Sequence, residues 1–557
     1  MKMRINKRTI LSLCFLLIGF SLSAQELFYP LGRDLNTKID AAINDPALDF
    51  HTDIRPYRMA EFAQKIKLDS ITSTFYFKPQ SKHLWRNSIW RRDNLIYIRQ
   101  DILTLAIDPQ LDLEFNQDAA ERGIVNGRGL KLDATIGKKV AITSAFYENQ
   151  STFINYIDAY VKSNGIVPGQ GYWKKFKTSG YDYGYATGSI SYSPSKYFNF
   201  NFGNGKNFIG DGYRSVLLSD NAFVYPYLKI TTSIGKIKYM NLYTTGLDIN
   251  HPKDAFNNDD FYRKNMAMHY LSMKFGKHYT LGLFEAVVFR AKDSTSSRGY
   301  DWNYLNPVIF LRPVEFSLGS SDNALMGLNQ KLSISKSFLL YNQIMLDEFK
   351  LSEVRAGKGW HGNKQAFQLG LKYFNVATLK NLNLQMEFNY VRPYMYSHYN
   401  TLENYGHYNQ PLAHPMGANF WEANSFLNYR YKSFFFEGRG SFAMKGYDIY
   451  DKTTKTYLNY GSNIYRSYYD RPDLDGTNNY GYFMATGLTT KIIYADFRVQ
   501  YVINPKTNLN FEAGVTERIT SDNINGMAQH TILHFGLRTS LTNAYLKRKY
   551  MNKNLNN

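Results

Sequence analysis

The sequence predicts an all-β fold: an antiparallel up-and-down β-barrel of the outer-membrane kind, with about 18 strands and a small N-terminal helical element. Three observations point there. Period-two segments long enough to cross a bilayer as tilted strands recur from about residue 100 onward. Short turns and long connections alternate through the same region. The composition fits as well: 46 Tyr and 38 Phe bring aromatics to 16% of 557 residues, yet charged residues are 20% and mean hydropathy is −0.41. Lipid-facing side chains confined to alternate strand positions and flanked by aromatic girdles give such a chain. Beyond the first residues there is no run of about 18 apolar positions, which excludes a helical span.

The first element is a leader. Lys2, Arg4, Lys7 and Arg8 precede an apolar stretch from Ile10 to Leu22 and then Ser23-Ala24-Gln25, the pattern of a secretory signal peptide over residues 1–24. Cys14 would suit lipoprotein acylation only if a small residue preceded it, and Leu13 stands there. Removing the leader leaves no cysteine, so disulfides and thiolate metal sites are excluded from the exported chain. It also takes four cations from a net charge of +20, leaving +16. That balance suits lipopolysaccharide phosphates or acidic polysaccharide as partners, or simply solvated loops. No basic cluster has nucleic-acid spacing.

Residues 25–98 form the second element. Asp34 to Ile43 and Arg58 to Ile66 have helical spacing, and a barrel of this size needs something in or under its lumen, so a plug or periplasmic cap is expected. The barrel itself occupies 99–541. Leu382, Leu384, Met386, Phe388 and Tyr390 alternate with Asn383, Gln385, Glu387 and Asn389, and Phe497, Val499 and Tyr501 with Asp496, Arg498 and Gln500. Strands are expected to start near 100, 124, 139, 181, 197, 222, 236, 263, 279, 323, 337, 365, 381, 420, 433, 490, 508 and 529. An even count with both ends periplasmic is what a single-chain bacterial barrel requires. Long connections are expected at 204–221, 248–262, 291–322, 349–364, 392–419, 445–480 and 519–528. Asp108-Pro109 predicts a bulge or break in the first strand, because proline removes a ladder donor. A basic tail, 542–557, closes the chain and places the insertion signal internally, around Phe535 to Leu541.

Motifs with chemistry are few. Gly203 to Gly212 is glycine-rich, but no Gly-Lys-Ser/Thr follows, so it is no phosphate loop; it reads as a tightly bent loop folded inward over the lumen, or as plain turn chemistry. Asp473-Leu474-Asp475-Gly476 opens like a calcium loop, but Met484 stands where a bidentate Glu is needed. His407 and His414, seven residues apart, lack a zinc pattern. There is no Gly-x-Ser-x-Gly elbow, and Asp347-Glu348 point to opposite faces of a strand, so neither an enzyme nor a cofactor is expected. The loop 445–480 holds Tyr447, Tyr450, Tyr457, Tyr460, Tyr465, Tyr468, Tyr469 and Tyr480 among asparagines, a composition suited to glycan contact or to an interfacial girdle.

Gly203 to Ala222, Asn306 to Glu315 with Ser321 to Gly327, Leu346-Asp347-Glu348, and Ala413-His414-Pro415-Met416-Gly417 resemble the Wzi-like capsule-assembly outer-membrane barrels, nearest to their gliding-motility (RemB) branch. The resemblance spans about 100–541. It implies a barrel in the bacterial outer membrane with loops exposed at the cell surface, supporting gliding motility and adhesion, possessing lectin-like attachment of polysaccharide, and associating with other gliding-machinery proteins. Two departures stand out: Asp211, where these barrels more often have Pro, and the basic tail in place of a terminal aromatic. Motif and loop composition together nominate Lys206, Asp211, Arg214, Arg312, Asp322, Asn323, Asp347, His414, Tyr468 and Tyr469 as ligand-binding residues. The alternative is a passive porin or substrate channel, for which the polar inward positions would line an open lumen.

Overall fold

The computed structural model describes residues 27–48, 50–63, 66, 94–119, 121–250, 261–291, 299–307 and 310–539. The leader over 1–24 and the basic tail lie outside the described residues, as do most of 64–93 and the end of the expected insertion signal. Alternating sequence becomes alternating burial. Along Leu488–Asn504 the inward Asp496, Arg498 and Gln500 are buried, whereas the outward Phe497 and Tyr501 are 51% and 44% exposed. Met386 is 50% exposed between the buried Gln385 and Glu387. Apolar area left against water would cost about 25 cal/mol per Å². The stable neighbour of this outer face is therefore lipid.

Eighteen strands close into one antiparallel ring. In chain order they are β1 (Leu103–Asp118), β2 (Glu121–Ile136), β3 (Val140–Thr152), β4 (Gly180–Tyr192), β5 (Phe198–Gly205) and β6 (Tyr225–Ile234). Next come β7 (Ile237–Asp248), β8 (Tyr262–Phe275), β9 (Tyr279–Arg290), β10 (Asn323–Ser333), β11 (Phe338–Leu346) and β12 (Gln365–Phe374). The ring is completed by β13 (Leu382–Val391), β14 (Phe420–Tyr431), β15 (Phe434–Tyr447), β16 (Leu488–Asn504), β17 (Leu509–Asp522) and β18 (Gly526–Thr539). Each pairs with its sequence neighbours, and β18 returns to β1. Closure gives each of the eighteen strands a partner on both sides, the condition for strands in hydrocarbon. Every strand begins within three residues of its expected position.

Two local expectations are corrected. The register of β1 against β2 runs unbroken through Pro109, with no bulge. On its other edge β1 changes partner there: Leu103 to Ile107 pair with a short strand, Ile96–Gln100, and Asp112 to Asp118 pair with β18. The proline falls in the gap between the two partners, where a missing ladder donor is tolerated. The described bulge lies elsewhere, between Val502 and Asn504. The connection expected at 519–528 is a tight turn of residues 523–525. The Asp522 carboxylate accepts the N–H groups of Ile524 and Asn525, and Gly526 takes φ 72°, so both strands run on to the turn.

The lumen is filled with protein. Helix α1 (Arg33–Ile43) and the short α2 (Met59–Ala63) share a small core of Tyr29, Leu35, Ile39, Ile43, Phe50, Tyr57 and Phe62. The segment sits inside the ring through polar contacts with inward side chains: Arg33 to Glu437 and Gln385, Asp34 to Arg498, Lys38 to Asn508, Asp40 to Lys372, and Glu61 to Lys238. At the loop end, connections 206–224 and 392–419 fold down and build an apolar core inside the barrel from Val216, Leu217, Leu218, Met395, Tyr396, Tyr405 and Leu412.

Candidate functional site

The glycine-rich segment enters the barrel because inward strand side chains replace the water its backbone would lose. The Glu387 carboxylate accepts the N–H groups of Tyr213 (2.7 Å) and Arg214 (3.0 Å), and Gln368 donates to the Arg214 carbonyl (2.9 Å). A Cβ on Gly212 would lie 2.6 Å from both Glu387 and the Arg214 carbonyl, so only glycine allows this approach. Gly210 takes φ 116° and donates its N–H to Asp53. Phe208–Ile209 pair with Ile54–Arg55 of the N-terminal segment, which joins the two lumen fillers in one small ladder.

Six of the nominated residues belong to this interior or to its margin. Asp211 is buried, accepts from Thr52 and lies 4.0 Å from Lys331. Arg214 is 3.7 Å from Glu422, and His414 shares that carboxylate at 2.8 Å. Burial holds the His414 imidazole down at about 4. Lys206 donates to the carbonyls of Gly169 and Asp220, and burial lowers its ammonium to about 8. Asp322 accepts from Tyr304 (2.6 Å), and Asn323 donates to the Glu403 carbonyl (2.9 Å). Arg312 stands apart on an exposed short helix beside Glu315.

The other three come together. Lys364 lies 3.7 Å from Asp347 and 4.1 Å above the Tyr468 ring, while Tyr469 packs on Tyr468 and Tyr399. Burial raises the Asp347 carboxyl to about 6. Tyr468 is buried and Tyr469 exposed. The structure thus distributes the ten residues over several places.

A pocket of about 220 Å³ opens elsewhere at the loop end, where four long connections and the end of β15 converge. Helix α3 (Asn155–Asn164), ended by Gly165 at φ 66°, brings Tyr160 and Asn164 to its rim. A ribbon of Ile449–Asp451 and Thr456–Leu458 carries Tyr457, over which the Arg466 guanidinium sits at 4.5 Å. Asp448 accepts from Tyr460 N–H (2.9 Å) and Ser462, and lies 3.9 Å from Arg466. Burial raises its carboxyl despite that cation. Tyr465 donates to the Gln410 carbonyl (3.0 Å), and Asn409 donates to the Asn164 carbonyl. The buried hydroxyl of Tyr447, on the same wall, has no hydrogen-bond partner among the described residues.

None of the ten nominated residues lines this pocket. The tyrosine-rich loop composition pointed to Tyr447, Tyr457 and Tyr465; Tyr160, Asn409, Asp448 and Arg466 were missed. Nothing in their local sequence sets them apart, because the pocket exists only once separate loops meet. Chemically it offers aromatic faces, amides, a carboxylate and a guanidinium around an open recess. Among the described residues, no group of three or more His, Cys, Asp or Glu side chains is placed to hold a metal ion.

No protein-family model and no curated protein matches the chain. Among solved structures it is similar to Wzi of Escherichia coli, an outer membrane protein involved in group 1 capsule assembly and a carbohydrate-binding β-barrel. The two share 11% identity over 91% of this chain and 98% of that one, with a TM-score of 0.52. OccAB2 of Acinetobacter baumannii and OprD of Pseudomonas aeruginosa each align with 78% of this chain, and with 97% and 94% of theirs, at 10% and 12% identity and a TM-score of 0.40. The fold shared with Wzi is the closed antiparallel barrel of an outer-membrane protein.

Proposed function

We propose that this protein is a non-enzymatic outer-membrane anchor that holds exported surface polysaccharide in the loop-end pocket. The observation that carries the reading is the pocket itself. Flat faces of Tyr160, Tyr457 and Tyr465 stand beside Asn164, Asn409, Asp448 and Arg466, aromatic surface for the apolar side of a sugar and polar groups for its hydroxyls. A lumen filled by residues 27–63 and two inward loops supports an anchor over a channel. In this reading the long loops face outside, lipopolysaccharide surrounds the outward strand faces, and the N-terminal segment within 25–98 serves as the plug. That Wzi, a carbohydrate-binding barrel, shares the fold supports it too.

The test is glycan-array or polysaccharide binding by the refolded barrel. Tyr457→Ala and Arg466→Ala are each expected to weaken binding about tenfold, equivalent to about 1.4 kcal/mol. Unchanged affinity in both folded variants overturns the assignment. Within the same proposal, the motif resemblance assigns the anchor to gliding and adhesion: deletion is expected to reduce colony spreading and attachment while solute uptake stays normal, and unaltered spreading removes that role.

A further inference from the structure

The interior holds a second recess with different chemistry. Inward positions on β3 to β5 carry small groups, Thr143, Ala145, Thr187, Ser189, Gly203 and Gly205. Inward positions on β15 to β17 instead carry the long Glu437, Arg498 and Gln500 engaged with Arg33 and Asp34, and Glu512, which accepts from Arg498 and Gln500. The small-residue wall therefore stands back from the N-terminal segment, and a cavity of about 180 Å³ remains between them. At ~30 Å³ per liquid water, this is room for about six waters, or for one substituted ring.

The lining is aromatic and apolar with a few polar groups, the pattern of small-molecule sites. Phe28, Tyr29, Pro30 and Leu31 face it from the N-terminal segment, joined by Pro56. Tyr147 and Tyr185 stack at 4.6 Å and 17° on the barrel side, and Tyr227 lies beside them. Two ammonium groups border it. Lys131 pairs with Asp133, and Lys206 is held by the carbonyls of Gly169 and Asp220. Hydroxyls of Thr187 and Ser189 also line it, while the Thr143 hydroxyl donates to Asp133 (3.0 Å).

We propose that this cavity binds a small aromatic carboxylate, its ring against the tyrosine and proline faces and its carboxylate toward the two ammonium groups. The site is separate from the loop-end pocket, so a solute here and a glycan there are independent ligands.

The experiment is calorimetry and saturation-transfer NMR on the full-length refolded barrel with 4-hydroxybenzoate, benzyl alcohol and glucose. One-to-one saturable binding of 4-hydroxybenzoate is expected, at least tenfold tighter than benzyl alcohol and not competed by glucose. A Cβ on Gly205 would meet only the Tyr227 side chain, at 3.5 Å and beyond, so Gly205→Leu introduces its branch at a point clear of backbone. It is expected to lower 4-hydroxybenzoate affinity at least tenfold while glycan binding and heat stability stay unchanged. Should that variant fail to fold, Ser189→Phe serves the same purpose. Absence of saturable binding of the acid, or equal affinity in a folded cavity-filling variant, overturns the proposal; equal binding of benzyl alcohol overturns the role of the ammonium groups.

Discussion

At the residue scale, His407 shows how burial makes a loop pH-sensitive. Its Nδ1 accepts the Leu247 N–H at 2.9 Å and its Nε2 lies 3.2 Å from the Val224 carbonyl, an arrangement for the neutral ring with the proton on Nε2. Burial lowers its pKa to about 3. The unfolded loop takes a proton below the ordinary histidine value of about 6.5, whereas the folded loop takes none until about 3. The stability contributed is therefore complete above that ordinary value and falls as pH drops. At pH 4.5 the loss is about 2–3 kcal/mol. Hydrogen exchange across 392–419, corrected for intrinsic rate, is expected to speed up between pH 7 and 4.5, and His407→Gln is expected to remove about half of that dependence, the remainder coming from His414, which burial holds down in the same connection. Asp347 works in the opposite sense. With its carboxyl raised to about 6 by burial, the folded state binds the proton more tightly, and its surroundings gain stability as pH falls through that value.

At the scale of elements, the N-terminal segment is fastened by a few charged contacts. The Arg498 guanidinium reaches Asp34 on α1 (2.5 Å), Glu437 on β15 (2.7 Å) and Glu512 on β17 (3.2 Å). Removing the cation leaves buried carboxylates facing one another, which costs about 3–5 kcal/mol when one partner of a buried pair is lost. Arg498→Ala is thus expected to lower the temperature at which the folded barrel converts to its unfolded gel mobility, with Arg498→Lys intermediate. The charged residues of β16 were legible in the sequence as inward positions, because period two puts Asp496, Arg498 and Gln500 on one face. Their partner on α1 was not, since it lies more than four hundred residues away in the chain and only ring closure brings it near.

At the scale of the molecule, the filled lumen sets an electrical expectation. Purified full-length protein in planar bilayers is expected to be silent, while a barrel lacking residues 27–66 and the two inward connections, 206–224 and 392–419, is expected to pass steady current. Large currents from the intact chain would favour the porin alternative and count against the anchor.

The strand count and most strand boundaries were determined by the sequence, because period two and turn residues act within a dozen positions, whereas the glycine-rich loop, which the sequence left as an inward fold or plain turn chemistry, was drawn inward by the distant Glu387 and Gln368. Where the sequence misled, a nonlocal partner decided. Pro109 is accommodated by a change of neighbour at the barrel seam, and the connection near 523 is short because both of its strands run on to the turn. Lumen filling, the loop-end pocket and the second cavity were decided by tertiary structure alone. Their walls come from segments far apart in the chain, and alternation along one strand says which side of it faces inward but nothing about what will meet it there.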